Sequence, residues 1–320
     1  MTGSISLEML LQTIAAGVLI GCTYGLMCVA LGLIFGVMRL INFAQGDFLM
    51  LGMYFAFSLV TVFGLGQSGF LGGVPAILLC AFLAIPVFFL VGWFVHGTLL
   101  RHVGQEQGLS DLEAHQAQLI VTLGLSLVLT NGGLMLFGST PVSINLPMSS
   151  QAWIIAPFGP QEIAVFLNKA LMLAAVVTVI VTAGLYFLLN RTKLGRQLRA
   201  AADNPTAALY MGIDVTRSYR TTFGLGIALT SVAGVMIATY YPFQPYVGLD
   251  FVIIMYAGVV LGGMGSVMGS FLGGLIIGLV QQLSSLVLPL QLQSTTVFVV
   301  FLAILLIRPR GLFGRAVERA

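Results

Sequence analysis

Long apolar runs separated by short polar links set the rhythm of this sequence. Eight runs stand out, at roughly 7–40, 48–63, 74–100, 117–137, 170–189, 221–241, 251–288 and 295–307. A helix rises about 1.5 Å per residue, so ~20 apolar residues cross the hydrocarbon core of a bilayer. The runs at 7–40 and 251–288 hold 34 and 38 residues, too many for a single crossing. Glycines interrupt both: Gly32 and Gly36 in the first, Gly262, Gly263, Gly265 and Gly269 in the second. Each is expected to form two short passes or one broken helix. The pattern predicts an all-α, polytopic membrane helical bundle, in which about 8 hydrophobic blocks form 8–10 membrane segments with broken helices in both halves.

Positive charge orients such a bundle, because cytoplasmic loops gather Lys and Arg. Six of the 13 lie in the stretch 191–220, namely Arg191, Lys193, Arg196, Arg199, Arg217 and Arg220. Four more, Arg308, Arg310, Arg315 and Arg319, close the chain. Both regions are expected on the cytoplasmic side, which requires an even number of crossings between them. Three blocks intervene, so 251–288 must cross twice or enter and return. The segment 138–169 holds Pro141, Pro147, Trp153, Pro157 and Pro160 and no Lys or Arg before Lys169, as an external loop would. Doubling both long blocks gives ten segments with the N- and C-termini both cytoplasmic. Residues 1–6 lack the basic start of a cleaved signal peptide and are read as mature sequence.

Composition agrees with lipid as the main solvent. Of the 320 residues, 58% are hydrophobic and 7% charged, too few charges to cover a soluble surface. A single transmembrane domain is expected to fill residues 1–320, with 191–220 as a cytoplasmic loop within it. A net charge of +3 gives no reason to expect nucleic acid. Cys22, Cys28 and Cys80 lie inside apolar runs and are expected to pack as free thiols. No phosphate-binding loop, metal-ligand cluster or nucleophile elbow occurs, so no catalytic residue, metal site or cofactor is expected.

Three interruptions carry chemistry. Asn42-Phe43-Ala44-Gln45-Gly46-Asp47 either breaks a helix beside a translocation path or forms a turn in which Asp47 caps the next helix. The glycine-rich stretch 262–270 reads either as the matching break of the other half or as a close helix contact. In the basic loop, Asn204 and Pro205 read as helix cap and first position, and Gly212 as the stop. The short helix between them, displaying Leu209, Tyr210 and Met211 beside Arg196 and Arg199, either docks a cytoplasmic subunit or rests on anionic lipid. Asp214 is placed to cap the following span. Acidic or His relays are missing from the spans, so energy is expected to come from outside this chain. The polar candidates for a solute path are Tyr24, Asn42, Gln45, Gln281, Gln282 and Ser285.

Taken in order, Asn42-Phe43-Ala44-Gln45-Gly46-Asp47-Phe48, the segment Gly195-Arg196-Gln197-Leu198-Arg199-Ala200-Ala201-Ala202-Asp203, the segment Val260-Leu261-Gly262-Gly263-Met264-Gly265-Ser266 with Gly269, and the closing Arg308-Pro309-Arg310-Gly311-Leu312-Phe313-Gly314 resemble the permease subunits of branched-chain amino-acid ABC importers. The short N-terminus looks more like the shorter of that family's two paired permeases. The resemblance implies a heterodimer with a second permease subunit, two cytoplasmic ATPase subunits that bind the ATP, a periplasmic solute-binding protein and an inner-membrane location. It also implies that the stretch from Arg196 through Asn204 and Gly212 to Asp214 couples to the ATPase. Gln45 departs from the pattern, since many relatives have His there. Some relatives move urea, short amides or aromatic acids. A stand-alone channel for a small neutral solute such as urea is the rival reading, and it would need no docking helix.

Overall fold

The computed structural model describes residues 7–64, 73–104, 111–158, 163–308 and 311–312. Pro160, most of the closing motif, and Arg310, Arg315 and Arg319 of the basic tail lie outside the described residues. Twelve α-helices appear among the described residues: α1 (Leu7–Met38), α2 (Gln45–Phe57), α3 (Val74–Val95), α4 (Arg101–Gly104), α5 (Asp111–Phe137), α6 (Lys169–Arg191), α7 (Lys193–Asp203), α8 (Pro205–Tyr210), α9 (Val215–Ile237), α10 (Val247–Gly262), α11 (Val267–Ser284) and α12 (Leu290–Ile307). Wider π-helical turns extend α2 over Ser58–Val62 and α3 over His96–Leu100. The protein is an all-α polytopic membrane bundle. Seven of its helical spans are long and apolar enough to cross a bilayer, and Val247–Gly262 and Thr295–Ile307 are shorter apolar helices.

The two long apolar blocks resolve differently. The second turns back on itself, because Gly263 and Gly265 adopt φ of 97° and 91°, a region in which side chains are strained. Ser266 then caps α11, its side chain accepting from Gly269 N at 3.1 Å. The doubling expected of the first block is wrong: α1 is one unbroken helix of 32 residues. Its glycines admit a neighbour instead of breaking the helix. A Cβ at Gly21 would stand 2.7 Å from the Leu275 carbonyl oxygen, and one at Gly25 would stand 2.6 Å from the Phe271 ring. Facing them, a Cβ on Gly274 would meet Gly25 N at 2.6 Å, and one on Gly278 would collide with the backbone of Gly21. Gly36 meets Gly265 further along, so α1 and α11 run antiparallel with their backbones in near contact. Lipid tails give apolar side chains no reason to cluster, so such close packing is what holds membrane helices together.

An unbroken α1 also puts its own two ends at opposite ends of the bundle. At its start, Gln12 Oε1 accepts from Phe166 N at 2.8 Å, and that residue belongs to an antiparallel hairpin of β1 (Ala152–Phe158) and β2 (Ile163–Asn168). At its far end, Gly32, Leu33, Gly36 and Val37 line a cleft of about 400 Å³ with Leu198, Arg199 and Ala202 of α7. Leu312 N donates to Leu261 O at 2.8 Å near that same end. The start of α1 therefore lies with the hairpin, while α7 and the last described residues lie at the opposite end. Helix α9, 83% of whose most apolar stretch is buried, forms the centre of the bundle.

Candidate translocation path and coupling segment

The link between α1 and α2 begins with a sharp stop. Arg39 takes φ of 54°, unusual for a residue with a side chain, and its N–H donates to Phe35 O at 2.8 Å. Beyond it, Asn42 and Gln45 are fully buried. Asn42 Nδ2 donates to Gln45 Oε1 at 2.8 Å, and Asn42 Oδ1 accepts from Ala44 N at 3.2 Å. Gln45 Nε2 in turn donates to Thr230 Oγ1 and, at 3.5 Å, to Gly226 O. These amides therefore satisfy one another and pin the start of α2 onto α9. Of the two alternatives for this link, the one in which Asp47 caps α2 does not hold, since Ala44 occupies the cap position. Asp47 sits within the first turn, and its Oδ1 accepts from Thr130 Oγ1 of α5 at 2.7 Å. Hydroxyls of Thr130 and Ser126 on the neighbouring helix thus serve a carboxyl held in the membrane.

Tyr24 and Gln281 come together on a second seam, between α1 and α11, with the Tyr24 hydroxyl facing the Gln281 side chain. Gln282 lies on the same turn, its Cβ near where a Cβ on Gly17 would stand, 3.2 Å away. Ser285 closes α11, its hydroxyl donating to Gln282 O at 2.6 Å. The six polar candidates therefore fall into two groups, a closed pair at the start of α2 and a set along the α1–α11 seam.

The basic loop folds as two capped helices. Thr192 caps α7, accepting from Gly195 N at 3.1 Å, and α7 buries Leu198 and Ala201 against the bundle. Arg199 Nη1 donates to Asn190 Oδ1 at 2.7 Å, and Arg196 faces outward. Asn204 Oδ1 accepts from Ala207 N at 2.9 Å to start α8. Gly212, at φ of 78°, ends it, with Gly212 N and Ile213 N each donating back into the helix at 3.0 Å. Ala208 is buried, whereas Leu209, Tyr210 and Met211 are 62%, 84% and 82% exposed. Asp214 caps α9 through Arg217 N at 2.9 Å. Sequence reasoning missed Arg220, which lies over the Trp93 ring at 3.2 Å and donates through Nε to Trp93 O at 2.8 Å. That contact ties the end of α3 to the start of α9.

Comparison with known proteins decides the family. Residues 13–308 match the family described as branched-chain amino acid transport system / permease component. The chain belongs to this permease family. Among curated relatives of the permease, LivH of Salmonella typhimurium, a high-affinity branched-chain amino acid transport system permease protein, is 28% identical over 95% of this chain and 96% of its own. BraD of Pseudomonas aeruginosa, described in the same words, is 30% identical over 95% and 96%. A fructose import permease protein of Rhizobium meliloti, FrcC, is 32% identical over 50% of this chain and 45% of its own. No solved structure matches.

Proposed function

We propose that this permease is the membrane subunit of an ATP-binding-cassette importer that carries branched-chain amino acids across the inner membrane. A second permease subunit would complete the path, a periplasmic binding protein would deliver the solute, and two cytoplasmic ATPase subunits would bind and hydrolyse the ATP. Relatives named for branched-chain amino acid transport, aligned over nearly their whole length, support this substrate class. The observation that carries the ATP-driven reading is the end of α8. Three large apolar side chains in sequence, Leu209, Tyr210 and Met211, stand in solvent on a helix that is capped at both ends and anchored through Ala208. A groove on a soluble partner would cover them, and a stand-alone channel would leave them unexplained. Arg196, Arg199, Asn204 and Gly212 would shape this coupling segment. The basic character of 191–220 favours a cytoplasmic location, which puts the start of α1 and the hairpin on the periplasmic side.

In this reading Tyr24, Gln281, Gln282 and Ser285 offer uncharged polar contacts to the passing solute, while Asn42 and Gln45 hold α2 in place on α9. Co-purification from the native membrane tests the assembly: an ATPase and a second permease should accompany the chain. Recovery of this chain with no ATPase would reject the reading.

A further inference from the structure

Beside the coupling segment, a cleft of about 560 Å³ opens between α3, α7 and the start of α9. That volume falls within the ~300–1,000 Å³ of small-molecule sites. Phe89 and Trp93 of α3, Leu194 and Gln197 of α7, and Asp214 and Arg217 at the start of α9 line it. Its wall spans two solvents. Phe89 stands about three turns inside the end of the apolar span 74–100, and its neighbours Leu90 and Phe94 are exposed, so this face of α3 meets lipid. Gln197, Asp214 and Arg217 are exposed at the polar end. Between the two ends stands Trp93, a residue type that gathers at membrane–water interfaces. Arg220 holds its ring in place, with the guanidinium carbon 3.2 Å from the ring centre and Nε donating to Trp93 O at 2.8 Å. A soluble partner cannot reach Phe89 through hydrocarbon, whereas an acyl chain can.

The cleft carries one charge of each sign. Asp214 Oδ1 accepts from Arg217 N at 2.9 Å, which leaves its second oxygen for another donor. Neither the Arg217 guanidinium nor the Gln197 side-chain amide has a hydrogen bond or ion pair among the described residues. We propose that the cleft binds a zwitterionic phospholipid, phosphatidylethanolamine, from the leaflet on the α7 side. Arg217 and Gln197 donate to its phosphate oxygens. Its ammonium donates to Asp214, and its acyl chains run along Phe89 and Trp93. A choline head group has no N–H to offer Asp214, and a glycerol head group has no cation to set against it. An occupant that touches α3, α7 and α9 together braces the coupling segment against the bundle. The proposal rests on the membrane placement of α3 and α9 and holds whatever the solute.

Native mass spectrometry of the detergent-purified assembly tests this by titration with the dioleoyl forms of phosphatidylethanolamine, phosphatidylcholine and phosphatidylglycerol. Phosphatidylethanolamine should bind at least tenfold more tightly than either of the others. Arg217→Gln should weaken it about tenfold, as the loss of a charged hydrogen bond does, with Gln197→Leu as an independent variant outside the α9 cap. Asp214→Asn keeps a capping side chain but removes the charge, and should erase the preference for ethanolamine over choline. Arg196→Gln, on the outward side of α7, should bind the lipid as the wild type does. Thermal midpoints without added lipid confirm that each variant is folded. A preference for phosphatidylglycerol, weakened equally by Arg196→Gln and Arg217→Gln, would overturn the proposal in favour of a diffuse basic surface. Equal binding of all three lipids would overturn it too, as would exclusion of the lipid whenever an ATPase subunit is bound. Selective phosphatidylethanolamine binding in an assembly that contains no ATPase would leave the site standing and reject the importer reading.

Discussion

Gln45 links two helices through side-chain amide chemistry, and its removal should be felt as lost stability. Replacing it with Leu keeps the volume but deletes both the acceptor of Asn42 Nδ2 and the donor to Thr230 Oγ1 and Gly226 O. Thr230 can fall back on the carbonyl of Gly226, four residues earlier, as buried threonines of this protein do elsewhere, for example Thr182 onto Thr178 O. Asn42 Nδ2 has no such escape at 0% exposure, and a stranded buried donor costs about 1–3 kcal/mol. A direct interhelical hydrogen bond in a membrane contributes less, about 0.6 kcal/mol on average. Gln45→Leu should therefore destabilise by about 1–3 kcal/mol, and Thr230→Val by about 0.6 kcal/mol. The double mutant should show a coupling of about 0.6 kcal/mol. Unfolding in bicelles, with all four proteins compared, measures the cycle. Gln45→His, which retains one donor and one acceptor, should lose less than Leu. Zero coupling, with stability unchanged in Gln45→Leu, would refute the pinning role and return Gln45 to the solute path.

Reporter fusions after Pro147 and at the start of α1 should lie on one side of the membrane, and fusions after Arg191 and Gly311 on the other. A fusion at the α1 start that reports with Arg191 would contradict the unbroken helix. At the α1–α11 seam, Gly278→Leu would drive a side chain into the Gly21 backbone. Because backbone cannot yield as a flexible side chain does, the cost should exceed the usual 1–3 kcal/mol of overpacking, seen as loss of folded protein on gel filtration. Normal yield and mobility would show that the helices stand further apart than described.

Local chemistry was readable where cause and effect lie within a few residues. Asn204, Pro205 and Gly212 set the limits of α8 because caps act on backbone groups in the next turn. The glycines of 262–270 left a break and a close helix contact both open, and both hold: Gly263 and Gly265 take positive φ, and Gly262 packs on Gly269. The glycines of α1 were ambiguous, because an isolated helical glycine marks a break or a close contact alike. What decides is α11, some 250 residues away. Asp47 misled similarly: an acidic residue after a polar turn is a good cap, but its partner Thr130 lies 83 residues on. The hairpin escaped notice because its strands are short, and the pairing of Tyr24 with Gln281 becomes visible only when α1 meets α11.

The central claim, ATP-driven import through a docked partner, rests most directly on α8. Each large apolar side chain buried there would contribute about 1.5–3 kcal/mol, and truncating an interface anchor costs about 2 kcal/mol, roughly 30-fold in affinity. Detergent pull-down of the ATPase should therefore fail for the Tyr210→Ala, Met211→Ala protein, while that protein still inserts and folds, because α8 lies outside the bundle. Removing Arg196 and Arg199 instead should weaken capture less. Full ATPase capture by the Tyr210→Ala, Met211→Ala protein, with capture lost only when the arginines go, would contradict the account.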